Sequence, residues 1–484
     1  MKPIRFKLTK TVENLLGTII LGVSMAGCSD FLEVQPVGQT TIPVFFSDMD
    51  GIRAALPGAY SAMYNYYSSE FYKYPEIAGN MVSLKTVTSG GDMVKEYNFI
   101  SDPTDETGAV GYIWKKIYIA LANVNNILQY QPSLVAKYPN NQAELQEIKA
   151  EALFLRALCL FDACRVYAQP YNYTKEASHL GIPALTKTPG ADDNMPRNTV
   201  NQVYVQIIKD LKESEEDFGS TPMTDAYHAS KLASQALLAR VYLYMEDWDD
   251  AIIYANKVLA SVPLSYGSDY VAMFTNLTAG NEAIFRLNGL KKSCPLQKFY
   301  YPVSPVAVPS DTLMSLFTDS DDIRLKLFQL ESGSKNSYVT LKYTVTANVS
   351  ESDKHYDPFV LRASEIYLIR AEAYLNNNEP KLAASDLKTL IARSRNKQTS
   401  DISITETDKT VLRRLLEVER AKELCFEGHQ FFDIVRWNHA LVRSTNTNSN
   451  IRYLSYPNDR FVLPIPQTEL EANTNMVGNP TVNN

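Results

Sequence analysis

Two segments lying 132 positions apart in this chain carry the same pattern. "LLARVYLYMEDWDDAIIYANKVL" runs from Leu237 and "LIRAEAYLNNNEPKLAASDLKTLI" from Leu368. The shift aligns Ala239 with Ala371, Tyr242 with Tyr374 and Leu243 with Leu375. It also aligns Ala251 with Ala383 and Val258 with Leu390. Apolar residues recur every three or four positions, which is helical spacing. Small Ala at matched sites lets two helices approach closely. The short polar links "MED" and "NNNEP" suit a tight turn between them. Each copy is therefore a helical hairpin of tetratricopeptide type. Such hairpins cannot bury their faces alone and must stack on neighbours.

Weaker versions of the pattern lie near residues 113–167 and 200–240, which predicts a scaffold of about four pairs. "IWKKIYIALANVNNILQY" places Ile113, Ile117, Leu121, Val124 and Leu128 on one stripe. "AELQEIKAEALFLRALCLFDACRVY" is a second long helix, ended near Pro170. Thr199 followed by Gln202 is a capping-box signature, and Val203, Ile207 and Leu211 then line one face. An earlier segment, "GIRAALPGAYSAMYNYYSSEFY", is helical in pattern and predicted to break at Pro57. From Ser265 to Asp357 the character changes. Pro302, Pro305 and Pro309, many Ser, Thr and Tyr, and alternating pieces such as "SYVTLKYTVTANVS" predict long loops with short strands or hairpins. The fold class is thus mostly α, a helix-pair scaffold carrying a loop-rich face, where binding residues tend to lie.

The N-terminus is of another kind. Lys2, Arg5, Lys7 and Lys10 precede an apolar run from Leu15 to Val23. That run has the length of a signal-peptide core and is too short for the roughly 20 residues of a membrane span. Met25-Ala26-Gly27 then leads to Cys28 at the cleavage point, the pattern of a bacterial lipobox. Cleavage would leave Cys28 as an acylated N-terminus. The expected organisation is a signal peptide over 1–27, a lipidated tether over 28–45 and a single domain over 46–484, with halves 46–260 and 261–484.

Composition excludes more than it selects. A net charge of −7 with no basic stripe argues against nucleic acid. The other four Cys (Cys159, Cys164, Cys294 and Cys425) are scattered and form no disulfide framework; Cys159 and Cys425 read as core. None of His179, His228, His355, His429 or His439 stands in a zinc spacing, and His429 reads as structural. The acidic clusters "SDMDG" and "TDSDDIR" do not reproduce a calcium loop. No metal, cofactor or catalytic constellation is expected, although paired carboxylates for glycoside hydrolysis could hide among 54 acidic residues.

The most informative stretch is "VLRRLLEVERAKELCFEGHQFFDIVRWN". Leu415, Val418, Ala421 and Cys425 form one face. Glu417 with Arg420 and Glu419 with Lys422 are spaced to pair along the helix. Gly428 stands where a left-handed cap is expected. Dense packing alone would explain these residues. The run "ERAKELCFEGHQFFDIVRW" nevertheless resembles the hallmark of the SusD/RagB family, surface lipoproteins of Bacteroidetes. "FVLPIPQTELEANTNMVGNP", "RAEAYL", "AEALFLRAL", "CSDFLEVQP" and the segment from Trp114 match that family's phrases in order, from Cys28 to Pro480. The resemblance implies four tetratricopeptide-like units under a loop-rich face. It also implies an outer-membrane lipoprotein that acts as a lid on a SusC-type TonB-dependent transporter barrel, capturing oligosaccharides or, in some members, oligopeptides. Such proteins bind and do not catalyse. Only Trp114, of 3 Trp, lies outside the repeat and C-terminal signatures, so the family's frequent Trp platform for a sugar ring is in doubt.

Ligand residues are expected in the N-terminal loops and the loops after the second repeat. A sugar site needs flat rings and planar hydrogen-bonding groups together. "YNYYSSEFYKYPE" offers Tyr66, Tyr72 and Tyr74, with Tyr64 and Tyr67 assigned to the core. "GGDMVKEYNF" adds Asp92 and Tyr97, and "KFYYPVSP" adds Tyr300 and Tyr301. Glycan capture leads. An oligopeptide binder, a periplasmic protein-interaction scaffold and an unrecognised hydrolase are the alternatives.

Overall fold

The computed structural model describes residues 41–190, 192–276, 282–345, 350, 354–404 and 408–480. Cys28, the signal segment and all but the end of the tether lie outside them. The described residues before Ile52 belong to a separate unit, in which Ile42–Phe45 form a short helix. The long helices in chain order are α1 (Met49–Tyr67), α2 (Glu70–Ala78), α3 (Ala109–Lys137) and α4 (Gln142–Tyr167). They continue with α5 (Val200–Phe218), α6 (Lys231–Met245), α7 (Trp248–Leu259) and α8 (Ala363–Asn376). The last are α9 (Pro380–Ser394), α10 (Lys409–Leu424) and α11 (Gln430–Arg436).

The repeated segments form the two hairpins α6–α7 and α8–α9. Ala239, Ala371, Ala251, Ala383, Val258 and Leu390 are all buried. The register extends into the turns: Glu246 and Asn378, 132 apart, are both left-handed, with φ of 61° and 63°. The hairpins stack through α7 and α8. Arg370 on α8 fastens them, donating to both oxygens of Asp386 on α9 (2.8 and 2.6 Å) and to Asn256 Oδ1 on α7 (2.7 Å). Helices α3, α4 and α5 continue the stack on one side and α10 on the other, giving the mostly helical, tetratricopeptide-like architecture expected. The Thr199–Gln202 capping box is present in both directions, at 3.0 and 3.2 Å.

Helix α4 is the centre. Every residue from Ala150 to Cys164 is buried, so the helix is enclosed on all sides and mostly apolar, as a core helix is. Each of its large apolar side chains contributes about 1.5–3 kcal/mol. Arg156 and Asp162 are paired, because an unpaired buried charge would cost several kcal/mol, while Glu151 accepts from the Tyr60 hydroxyl and its pKa is pushed up to about 7 by burial. Arg156 grips Asp210 of α5 with two bonds of 2.7 and 2.6 Å. Asp162 accepts from Arg165 at 2.5 Å and from the Tyr67 hydroxyl at 2.7 Å. The four described Cys are free and buried, as read for Cys159 and Cys425. Burial pushes the Cys164 and Cys425 thiols up to about 12.

Two local expectations fail. Helix α1 runs through Pro57 without a break. Pro57 and Gly58 face solvent, where water can take the carbonyl that proline leaves without a donor. The Glu419–Lys422 pair forms at 2.5 Å, but Arg420 turns away from Glu417 and donates to Asp433 of α11 at 2.6 Å.

The loop-rich region holds short antiparallel pairs. These are β1 (Val82–Leu84) with β3 (Ala307–Pro309), β2 (Ala283–Arg286) with β6 (Phe359–Arg362), and β4 (Phe328–Leu330) with β5 (Tyr338–Thr340). A fourth pair, β7 (Leu441–Val442) with β8 (Tyr453–Leu454), follows α11. Buried ion pairs tie this region to the C-terminal signature. Arg362 on β6 reaches Glu423 (2.7 Å), Glu427 (2.7 Å) and Glu282 (2.8 Å). Arg324 reaches Glu419 at 2.8 Å, Lys342 reaches Glu427 at 2.6 Å, and Arg393 on α9 reaches Glu423 at 2.7 Å.

After α10 the left-handed residue is Phe426 (φ 66°), two positions before the expected Gly428, which is left-handed as well (φ 79°). A bulky residue tolerates this conformation only where its surroundings hold it. Glu76 on α2 does so, accepting from the N–H groups of Phe426, Gly428 and His429 at 2.9, 2.9 and 3.1 Å. His429 is buried, in keeping with a structural role.

Glu372 on α8 gives a pH test of the frame. Burial alone would raise its pKa. Two bonds from Arg436 (2.7 and 2.8 Å), with Arg413 beside them, outweigh burial and hold it at about 2. Its stabilisation is thus complete above the ordinary carboxylate pKa of about 4.5 and is lost as pH falls towards 2. Glu372→Gln should cost about 3 kcal/mol at pH 7, and the gap to the parent should close near pH 2 in denaturant titrations.

Candidate functional site

The tyrosines singled out as ligand residues mostly belong to the core. Tyr66 is fully buried, its hydroxyl on Asp162 at 3.1 Å and its ring 5.3 Å from Phe71. Tyr72 is buried, donates to the Phe359 carbonyl at 2.7 Å and borders a cavity of about 30 Å³, room for a water rather than a sugar ring. Tyr74 packs between Phe431 and Phe432, with ring centroids 5.8 and 6.2 Å away. Tyr97 is buried under the Arg443 guanidinium, 4.5 Å from its ring centroid. Tyr300 stacks on Tyr343 at 5.3 Å and meets Phe426 edge-on at 5.2 Å. For Tyr66, Tyr72 and Tyr97 the cause is that a carboxylate, a carbonyl or a hydroxyl (Asp162, Phe359, Thr447) takes tyrosine's polar end, which lets the ring serve as core. The buried Tyr300 hydroxyl has no hydrogen-bond partner among the described residues.

Asp92 and Tyr301 do reach the surface, at 44% side-chain and 43% residue exposure. Buried Lys73 draws their loops together. Its ammonium is 2.7 Å from Asp92 Oδ2 and 4.7 Å from the ring centroid of Phe299, two residues before Tyr301. The Lys85 N–H donates to the Val306 carbonyl at 3.0 Å, joining the same two stretches again.

A polar groove of about 360 Å³ that sequence reasoning missed opens against the β1–β3 pair, whose second strand follows the Tyr301 loop. The β1–β3 pair forms one wall, the turn at 334–337 another and the segment 443–448 the third. Arg443 fixes that third wall by donating to the carbonyls of Ile77, Ala78 and Gly79 at 2.9–3.1 Å, which caps α2. Asn448 donates to the Leu84 and Lys85 carbonyls at 3.0 and 3.1 Å, which leaves its own carbonyl oxygen available. Asn446 donates to Asp311 at 2.7 Å. Short amide and hydroxyl side chains such as Ser83, Asn336 and Ser337 complete the lining. These groups both donate and accept, as sugar hydroxyls require. The nearest sequence signal was the Asn/Ser/Thr run "RSTNTNSN" from Arg443.

A larger cleft of about 790 Å³ lies elsewhere, against α3, with Trp114 in its lining. Among the described residues, no helix is long and apolar enough to cross a membrane.

Two family models match the chain. One, described as starch-binding and associating with the outer membrane, covers residues 30–243. The other, described as the SusD family, covers residues 329–481. SusD-like protein P2 of Formosa agariphila is 25% identical, over 95% of this chain and 98% of that protein. A SusD-like protein of Bacteroides ovatus is 22% identical, over 93% and 87%. Among solved structures, a putative sugar binding protein from Bacteroides vulgatus superposes with a TM-score of 0.78 at 25% identity, covering 90% of this chain and 98% of that one. A SusD superfamily protein from Bacteroides thetaiotaomicron gives 0.80 at 24% identity, covering 90% and 100%.

Core and surface tyrosines should separate in stability measurements. Tyr74→Ala is expected to cost about 3–5 kcal/mol, and Tyr301→Ala to stay within about 0.5 kcal/mol of the parent. Urea unfolding monitored by circular dichroism reads both.

Proposed function

The chain belongs to the SusD family, and from that premise we propose that it captures oligosaccharides at the outer membrane and hands them to a SusC-type TonB-dependent transporter. The observation that carries this reading is the groove against the β1–β3 pair. Its amide and hydroxyl lining suits sugar hydroxyls, and an exposed tyrosine ring stands on the loop that joins it. A buried hydroxyl left unpaired costs about 1–3 kcal/mol, so a wall of small groups that donate and accept selects a polyhydroxylated ligand. The role is binding. The groove's charged groups are Lys85, Asp311 and Arg443, which do not make the carboxylate pair that glycoside hydrolysis uses.

Cys28 is the proposed anchor. Acyl chains gain about 0.8 kcal/mol per buried CH2, so two or more hold a protein on the outer membrane without a transmembrane helix. The anchored domain faces the cell exterior, where the loops meet glycan and the transporter lies alongside. The acidic net charge of −7 accords with a ligand other than nucleic acid.

Two measurements test the proposal together. Calorimetry against glycan and peptide panels should find a glycan ligand whose affinity falls about tenfold in Tyr301→Ala, a loss of about 1.4 kcal/mol. Binding of peptides alone would overturn the substrate class. Cys28→Ala should leave the membrane fraction; its retention there would overturn the anchor.

A further inference from the structure

The second cleft is built from three segments far apart in sequence: the start of α3, the stretch 183–195 and the stretch 466–473. On α3, Trp114 and Tyr118 stand one helical turn apart with ring centroids 4.5 Å apart and planes tilted by 34°. Trp114 is buried and braced edge-on by Tyr167 at 4.9 Å. Tyr112, Ile119 and Met195 add apolar surface to the lining at 37%, 48% and 37% exposure. Large apolar side chains gathered this way in a concavity mark binding sites. The volume of about 790 Å³ lies within the range of ligand clefts.

The hydrogen-bonding character of the walls narrows the ligand. Several donors are already spent inside the protein, while the exposed Lys115 keeps its ammonium available. Trp114 Nε1 donates to Glu469 Oε2 at 3.3 Å, and the Tyr118 hydroxyl donates to the Pro183 carbonyl at 3.2 Å. Thr468 gives its N–H and its hydroxyl to Glu106 at 2.8 and 3.0 Å. Asn473 Nδ2 donates to the Met195 carbonyl at 2.8 Å. Pro183, Pro189 and Pro466 contribute no N–H at all. Acceptors remain, because the carboxylates of Glu469 and Asp193 have lone pairs left after these bonds.

A peptide backbone brings as many carbonyls as N–H groups, and beyond Lys115 these walls offer its carbonyls few donors. An anionic ligand would meet the carboxylates of Glu106, Asp193 and Glu469 against the single cation Lys115. A neutral sugar brings hydroxyl donors for the acceptors and flat C–H faces for the rings. We propose that the Trp114 cleft is a second carbohydrate-binding site of this chain, taking a neutral oligosaccharide segment independently of the loop face. This rests on the glycan-binding reading above but on none of the same residues.

Hydrogen–deuterium exchange of the full chain locates the ligand. The probes are soluble gluco-, manno-, xylo- and galacto-oligosaccharides, with a mixture of short peptides as a separate arm. The expected result is protection of residues 183–195 and 466–473 by one glycan class. In Tyr112→Ala and in Glu469→Gln that protection should need about tenfold more glycan, while protection of residues 299–306 stays as in the parent. Glycan protection at 299–306 alone would overturn this inference and leave the primary function standing. Protection of the cleft by peptides alone, or unchanged glycan titrations in both variants, would also overturn it. Glycan protection at neither place would overturn both.

Discussion

Three glutamates on the signature segment hold this molecule together. Glu419 and Glu423 succeed one another on α10, Glu427 follows in the turn after it, and all are buried. Each meets cations from elsewhere in the chain: Arg324, Arg362, Lys342 and, from the second repeat, Arg393. Removing one partner from such an arrangement leaves an uncompensated buried charge and costs about 3–5 kcal/mol. Replacing all the charges by well-packed apolar groups could cost nothing. The ladder therefore matters for specification more than for gross stability: it decides which loops dock where. Through Arg324, Lys342 and Arg362 it fastens the irregular region from 282 to 362 onto the helical stack.

The loop face follows from that docking. β6 carries Arg362 and pairs with β2. Glu76 clamps the turn after α10, and its helix α2 also supplies Lys73, which joins the Asp92 loop to the Phe299–Tyr301 loop. Arg443 caps the same helix and sets the third wall of the polar groove. The groove is shaped by buried contacts beneath it, so its geometry does not depend on a ligand to order it. Such preorganisation lowers the entropy cost of binding.

The scaffold was legible because its signals are local. Period, small residues and turn length all lie within one hairpin, and the 132-residue shift predicted even the turn position at Glu246 and Asn378. The Thr199 box is likewise a four-residue signal. The tyrosines were misread because their partners are distant. Nothing near Tyr66 in sequence announces Asp162, and Tyr72 and Tyr74, expected in a loop, sit inside α2. Of the signature glutamates only Glu419 was read, as a partner of Lys422 on its own helix, and that pair forms; Glu423 and Glu427 carried no local signal. Their cations lie on β6, on α9 and in the loops, and only the fold brings them in. The Trp114 cleft was invisible because its walls come from three segments, whereas the stripe on α3 was visible as periodicity.

The most direct test of the central role of the ladder is native-state hydrogen exchange as a function of denaturant. If the buried ion pairs fasten the loop region to the stack, the amides of β2, β6 and α10 should open together, with one free energy equal to that of global unfolding. Exchange of β2 and β6 at a much lower free energy, while α10 stays protected with α8 and α9, would contradict the account.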